Sequence, residues 1–222
     1  MHTVRVWDLP TRVFHWLLAL SVVGMVITAK LGGNWMVWHL RLGHVVLALL
    51  LFRLAWGLFG GHWTRFTSFI YSPAAVLRYL RGQAPVHHQI GHSPLGALAV
   101  FALLGALLLQ VATGLGSDDE IAFVGPLVRF LEGSTVAKAT AYHKHLGQWL
   151  VLVLVALHLL AIAVYQWGRR QDLIGPMLHG DKPVVDPALP SSHDGPRQWL
   201  LAVLLALLSA VAAYLVYGLG VA

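Results

Sequence analysis

Six histidines lie within the apolar stretches of this chain: His15 in the first, His39 and His44 in the second, and His143, His145 and His158 in the fourth. The third stretch has none, and Gln110 is its only strongly polar residue. Imidazole is costly in hydrocarbon, so a histidine at such a position is a functional candidate by default. The sequence has no cysteine. That removes disulfides, thiolate-held iron–sulfur clusters and covalent c-type haem attachment together. Any redox centre must therefore be held non-covalently by other side chains.

The elements that position these histidines follow from composition. The chain has 222 residues, 58% of them hydrophobic and 11% charged, with a mean hydropathy of +0.71. Such a balance describes a polytopic membrane protein. A span needs roughly 20 apolar residues to cross a core about 30 Å thick. Runs near 13–30, 37–59, 94–115, 143–167 and 198–219 predict five helices, an all-α fold, and leave no length for a second folded domain. The first run lacks an A-x-A cleavage pattern and begins through Trp7, Asp8, Pro10 and Arg12, so it reads as a retained helix.

Arginine and lysine cluster before the first span, in the 60–93 loop and in the 168–197 segment, whereas the 116–142 loop carries Asp118, Asp119, Glu120 and Glu132. The positive-inside rule then puts the N-terminus in the cytoplasm and the C-terminus outside. "SPAAVLRYLRG" (72–82) predicts a short helix on the headgroups, with Ser72 as N-cap, Pro73 in the first turn and Gly82 at the C-terminal cap. "VGPLVRFLEG" (124–133) predicts a similar helix on the opposite side. The nine tryptophans fall mostly near span boundaries, as an aromatic belt would.

This topology gives each histidine a depth. His15 and His158 fall on the cytoplasmic side; His39 and His143 or His145 fall on the outer side, with His44 about 7–8 Å deeper than His39. One histidine pair per side is the arrangement that two bis-imidazole b-type haems require in a helix bundle. On an ideal α-helix the fifteen-residue step from His143 to His158 returns to within about 60° of one face, whereas the step from His145 lands about 140° away. Both "HLRLG" (39–43) and "HKHLG" (143–147) read H-x-x-x-G. A glycine one turn on leaves room for a flat macrocycle near the backbone. These patterns favour His39 and His143, with His44 and His145 kept as alternatives. Arg53 lies fourteen residues along from His39. It either pairs with a haem propionate or snorkels to the headgroups. His87, His88 and His92 read as solvated or partner-facing residues, and "GSDDE" (116–120) as a solvated loop, with a basic partner or a cation as the alternative.

"VWDLPTRVFHW" (6–16), "HLRLGHVVLALLLFRLAWGLFG" (39–60), "HKHLGQWLVLVLVALHLLAI" (143–162) and "DLIGPMLHG" (172–180) resemble the bacterial di-haem cytochrome b family. That family includes prokaryotic cytochrome b-561 proteins and the b-type subunits of nickel–iron hydrogenases. The resemblance implies a four-helix transmembrane bundle over residues 1–182 holding two haem b groups. Residues 183–222 then form a linker and a fifth transmembrane helix. It implies axial ligands at His15, His39, His143 and His158. The family sets its two fourth-helix histidines about one residue closer, which is where Lys144 stands here, so His145 stays open.

The function implied is electron carriage across a bacterial inner membrane between the quinone pool and a redox partner, which is a dehydrogenase, a hydrogenase or a c-type cytochrome. Membrane lipid surrounds the chain, a homodimer is compatible with it, and nucleic acid is not a partner. A second reading is a self-sufficient oxidoreductase of the same fold, passing electrons from superoxide to quinone or to ferric ion. A third is a histidine-lined metal-ion transporter, which would call for carboxylates beside the histidines within the spans; the sequence has none there.

Overall fold

The computed structural model describes residues 2–83, 85, 88, 90–186 and 188–220. In chain order the elements are β1 (His2–Arg5), α1 (Leu9–Leu31), α2 (Trp35–Phe59), α3 (Pro73–Leu80), α4 (Pro94–Leu115) and α5 (Gly133–Ala141). A π-helical turn at Tyr142–Gly147 leads into α6 (Gln148–Ala163), and a second follows at Val164–Gly168. Then come α7 (Ile174–His179), β2 (Asp181–Val184) and α8 (Pro196–Gly218). Among the described residues five helical runs are long and apolar enough to cross a membrane: α1, α2, α4, the continuous run Gly133–Gly168, and α8.

The third span has the limits expected of it, and its ends follow from local chemistry. Ser93 accepts a hydrogen bond from the Gly96 amide at 3.2 Å, and Pro94 occupies the first turn, where its missing N–H costs nothing. The surface helix α3 is likewise capped by Ser72, which accepts from Ala75 at 3.3 Å, and Gly82 follows it at φ +72°. The fourth span starts at Gly133, before the apolar run proper, because "GSTVAKATA" is helical without being hydrophobic. The helix expected over 124–133 is instead a single 3-10 turn, Val128–Phe130, following Gly125 and Pro126, which interrupt a longer helix.

The chain forms two compact units. The first comprises Met1–Phe14, Arg53–Ala102 and Ala156–Leu205. Its centre is the fully buried carboxylate of Asp8, which caps α1 by accepting from the Thr11 amide at 2.9 Å. The same carboxylate accepts from Trp56 Nε1 at 3.1 Å, the Gly61 amide at 3.0 Å and Thr64 Oγ1 at 3.2 Å. A buried charge is tolerated when it is this fully hydrogen-bonded. The glycines of the adjoining "RLAWGLFG" (53–60) stand where neighbours press close: a Cβ at Gly57 would overlap the Phe66 ring, and one at Gly60 would lie 2.7 Å from Trp56 Nε1.

A two-stranded sheet completes this unit and was not expected of an all-α chain. β1 and β2 pair antiparallel, with His2 opposite Val184 and Arg5 opposite Asp181. Arg5 binds both oxygens of Asp181, at 2.8 and 3.1 Å, and Asp194 at 2.8 Å. Beneath the strands Val4, Val6, Trp7, Trp63, Ile90 and Val184 form a small core. Trp7, Trp56 and Trp63 are therefore interior residues and not part of an aromatic belt, whereas Trp35, Trp38, Trp149 and Trp167 are exposed. Tyr79 on α3 meets Tyr165 hydroxyl to hydroxyl at 2.6 Å.

The second unit comprises His15–Phe52, Leu103–Val155 and Ala206–Ala222. The acidic "GSDDE" run belongs to it and is built into a turn: Asp119 accepts from the amides of Ile121, Ala122 and Phe123 at 2.8–3.0 Å. Those three bonds hold its carboxyl below the usual range. Arg129 donates to the carbonyl of Leu219, at the end of α8, at 3.1 Å.

Two outcomes follow. Asp8→Ala strands several buried donors and should lower stability by about 3 kcal/mol, read as a fall in thermal midpoint in detergent. Asp181 is held below its ordinary pKa chiefly by the Arg5 hydrogen bonds. A depressed carboxylate stabilises the fold fully above the ordinary aspartate value of about 3.9 and loses that contribution as pH falls through its lower folded value. Protection of the β1 and β2 amides against hydrogen exchange, taken relative to the intrinsic rate at each pH, should thus be constant near neutral pH and fall only in strong acid; Asp181→Asn should show lower protection throughout.

Candidate cofactor site

The second unit brings two of the sequence-selected histidines together. His39 on α2 donates from Nδ1 to the main-chain carbonyl of Met25 on α1, at 3.0 Å. His143, in the π-helical turn, donates from Nδ1 to the carbonyl of Gln110 on α4, at 2.9 Å. A carbonyl only accepts, so each Nδ1 carries the proton and each Nε2 keeps a free lone pair. That is the tautomer a metal ligand needs, with its second nitrogen fixed by a backbone acceptor.

The spacing fits as well. The two ring centres are 6.2 Å apart with their planes at 82°. Two metal–imidazole bonds of about 2 Å each, plus the distance from each ring centre to its nitrogen, put opposed axial imidazoles ~6 Å apart. The rings border a cavity of about 450 Å³, walled by apolar residues such as Val22, Val26, Leu107, Val111 and Val151, with Lys30, Lys144 and Asp119 among its few charged residues. Its size is within the range of about 300–1,000 Å³ for cofactor sites.

Two neighbours of His143 complete the site. Gln110 also donates from Nε2 to the His143 carbonyl, at 3.0 Å. Gly114, one turn further along α4, is the glycine that makes room for the imidazole: a Cβ there would lie 2.7 Å from His143 Cε1. Gln110 was visible in the sequence as the lone polar residue of its span; Gly114 carried no signal there. The two H-x-x-x-G glycines divide. Gly43 borders the cavity as expected. Gly147 instead abuts the Gln110 side chain and the Tyr142 ring, so it accommodates an amide and an aromatic ring of the protein itself. The azimuth reckoned from His143 on an ideal α-helix does not hold across the π-helical turn either.

Of the alternatives, His44 borders the same cavity and His145 does not. His145 is exposed. His44 donates from Nδ1 to Leu40 on its own helix at 2.7 Å and packs edge-on against Tyr217 of α8, with ring centres 5.1 Å apart.

Residues 6–180 match the model of a family described as prokaryotic cytochrome b561. The chain belongs to the prokaryotic cytochrome b561 family. Among its relatives is a protein of Azotobacter chroococcum mcd 1 named "Probable Ni/Fe-hydrogenase B-type cytochrome subunit", 31% identical over 215 residues, covering 80% of this chain and 87% of the relative. Proteins of the same name from Azotobacter vinelandii, 30% identical with 80% and 87% covered, and Bradyrhizobium diazoefficiens, 25% identical with 81% and 86% covered, also match. No solved structure matches the chain. As a cytochrome b561 the chain is a multi-pass membrane b-type cytochrome of electron transfer, and its implied cofactor is haem b. The paired imidazoles, with both Nε2 lone pairs free beside an apolar cavity, fit that group.

The remaining candidates lie elsewhere in this cytochrome. His15 is half-buried on α1 in the second unit; His158 is half-buried on α6 in the first. Arg53 is only 4% exposed. Its guanidinium lies over the Phe66 ring at 4.7 Å and its Nη1 has no acceptor among the described residues, so it is buried in protein and does not snorkel. His87 lies outside the described residues. His92 and His88 are half-buried, the first on Trp7 and Phe69 at 4.6 and 4.4 Å and the second on Tyr71 at 4.7 Å, so of the expected solvated or partner-facing roles neither takes the fully solvated one.

Because Gly114 touches the His143 ring, Gly114→Val should lower the haem content of the purified protein. Gly105→Ala, on the same helix with nothing within 4 Å of the new Cβ, should leave it unchanged.

Proposed function

We propose that this chain is the electron-transfer subunit of a larger oxidoreductase: a di-haem b-type cytochrome that carries electrons across the bilayer between the quinone pool and a redox partner. Nickel–iron hydrogenase is the partner that its relatives' names favour over another dehydrogenase or a c-type cytochrome. The observation that carries the reading is the opposed pair His39 and His143, 6.2 Å between ring centres.

In this reading His39 and His143 would hold one haem b through their Nε2 atoms. The second assignment, His15 with His158, rests on sequence depth and on the family resemblance. Haem b, when bound, supplies a one-electron ferric/ferrous couple. The chain's own residues do the rest. The Met25 and Gln110 carbonyls fix the two imidazoles in the liganding tautomer. The aliphatic walls exclude water and keep the local dielectric low. Arg53, buried with a free N–H, is the propionate partner on its own side of the chain. Residues 1–182 form the haem-binding domain and 183–222 the linker and fifth span. In a bacterial inner membrane, the loop charges put the N-terminus in the cytoplasm and the C-terminus in the periplasm.

Haem counting by pyridine haemochrome tests the assignment. The expected result is two haems b per chain in the natural protein, one in His39→Ala and in His143→Ala, and two in His145→Ala. Retention of both haems by His143→Ala contradicts it.

A further inference from the structure

We infer that Gln110 is a positioning residue that sets the reduction potential of one haem by gripping His143 at both its ring and its main chain. The inference rests on the ligand assignment just proposed. His143 stands in a π-helical turn, Tyr142–Gly147, that interrupts an otherwise α-helical run. Such a turn bonds residue i to i+5, widens the coil and loosens the local ladder. In hydrocarbon every loosened backbone group needs a partner from the protein.

Gln110 supplies that partner. Its side-chain amide donates to the His143 carbonyl at 3.0 Å, while its own carbonyl accepts the His143 Nδ1–H at 2.9 Å. One residue of α4 therefore fixes the ligand's backbone and the ligand's ring. The ring cannot swing, and the turn cannot rewind to α geometry, without breaking one of these bonds. Gly147 makes the grip sterically feasible, because a Cβ there would overlap Gln110 Oε1. That oxygen is itself buried without a hydrogen-bond partner, a cost that a side chain free to turn elsewhere would shed. The amide stays because its nitrogen end is engaged by His143. The H-x-x-x-G spacing at 143–147 and the lone polar residue of the third span thus belong to one device.

The electronic consequence has a sign. An imidazole whose Nδ1–H is bonded to a carbonyl is a stronger donor through Nε2. Stronger axial donation favours the ferric state and lowers the potential. Loosening the grip should therefore raise it.

The test is a redox titration of the purified, haem-loaded Gln110→Leu variant, with the electron paramagnetic resonance spectrum of its ferric form. Leucine fills similar space but donates nothing. The expected result is full haem content, one of the two reduction waves moved to higher potential with a changed low-spin signal, and the other wave unmoved. Should Gln110→Leu not fold, Gly147→Ala displaces the same amide from the other side and is expected to move the same wave. Unchanged potentials and spectra in whichever variant folds overturn the inference. Failure of the underlying ligand assignment would show separately, as natural protein that lacks a bis-histidine haem signal.

Discussion

An imidazole inside a membrane has one N–H that must find an acceptor, and nearly every acceptor there is a helix carbonyl already in use. A carbonyl has a second lone pair, and His39 and His143 each use one on another helix. Met25 and Gln110 each take an additional bond from a histidine on a neighbouring helix. Those two bonds tie α2 to α1 and the start of the fourth span to α4. They also decide the tautomer, and with it the direction in which each free nitrogen lone pair points. The same constraint that makes a membrane histidine expensive thereby leaves its other ring nitrogen with a lone pair to offer.

Much of this was legible in the sequence because it depends on long, local patterns. Five apolar runs announced five spans, and α4 has the limits that its hydropathy predicts. Depth along the spans was enough to match His39 or His44 with His143 or His145, since a helix rise is the same for any apolar residue, and the His39 and His143 rings do lie together. Azimuth was less legible. It assumed 3.6 residues per turn throughout, whereas His143 stands in a π-helical turn whose contact with Gln110 of another helix is tertiary. Gly147 was noticed for the right spacing and the wrong neighbour, because a sequence shows where a side chain is missing but not what fills the space.

Non-local features were hidden for related reasons. β1 is four residues long and its partner lies some 180 positions away, so neither strand has a pattern to detect. Asp8 looked like one residue of an entry motif, yet it is the buried acceptor around which the end of α2 and the following loop are organised. Arg53 was ambiguous because a guanidinium near a span end has two outlets; burial over Phe66 removes the one to the headgroups. The tryptophans divided likewise, since an interfacial ring and a hydrogen-bonded core ring share the same positions in a hydropathy plot.

The most direct measurement is an experimental density map of the purified, haem-loaded protein. The account predicts a flat macrocycle standing between the His39 and His143 rings, with both Nε2 atoms at bonding distance from its iron and the two Nδ1–H···O bonds to Met25 and Gln110 intact. A macrocycle ligated instead by His44 or His145, or no macrocycle between these two rings, would contradict it.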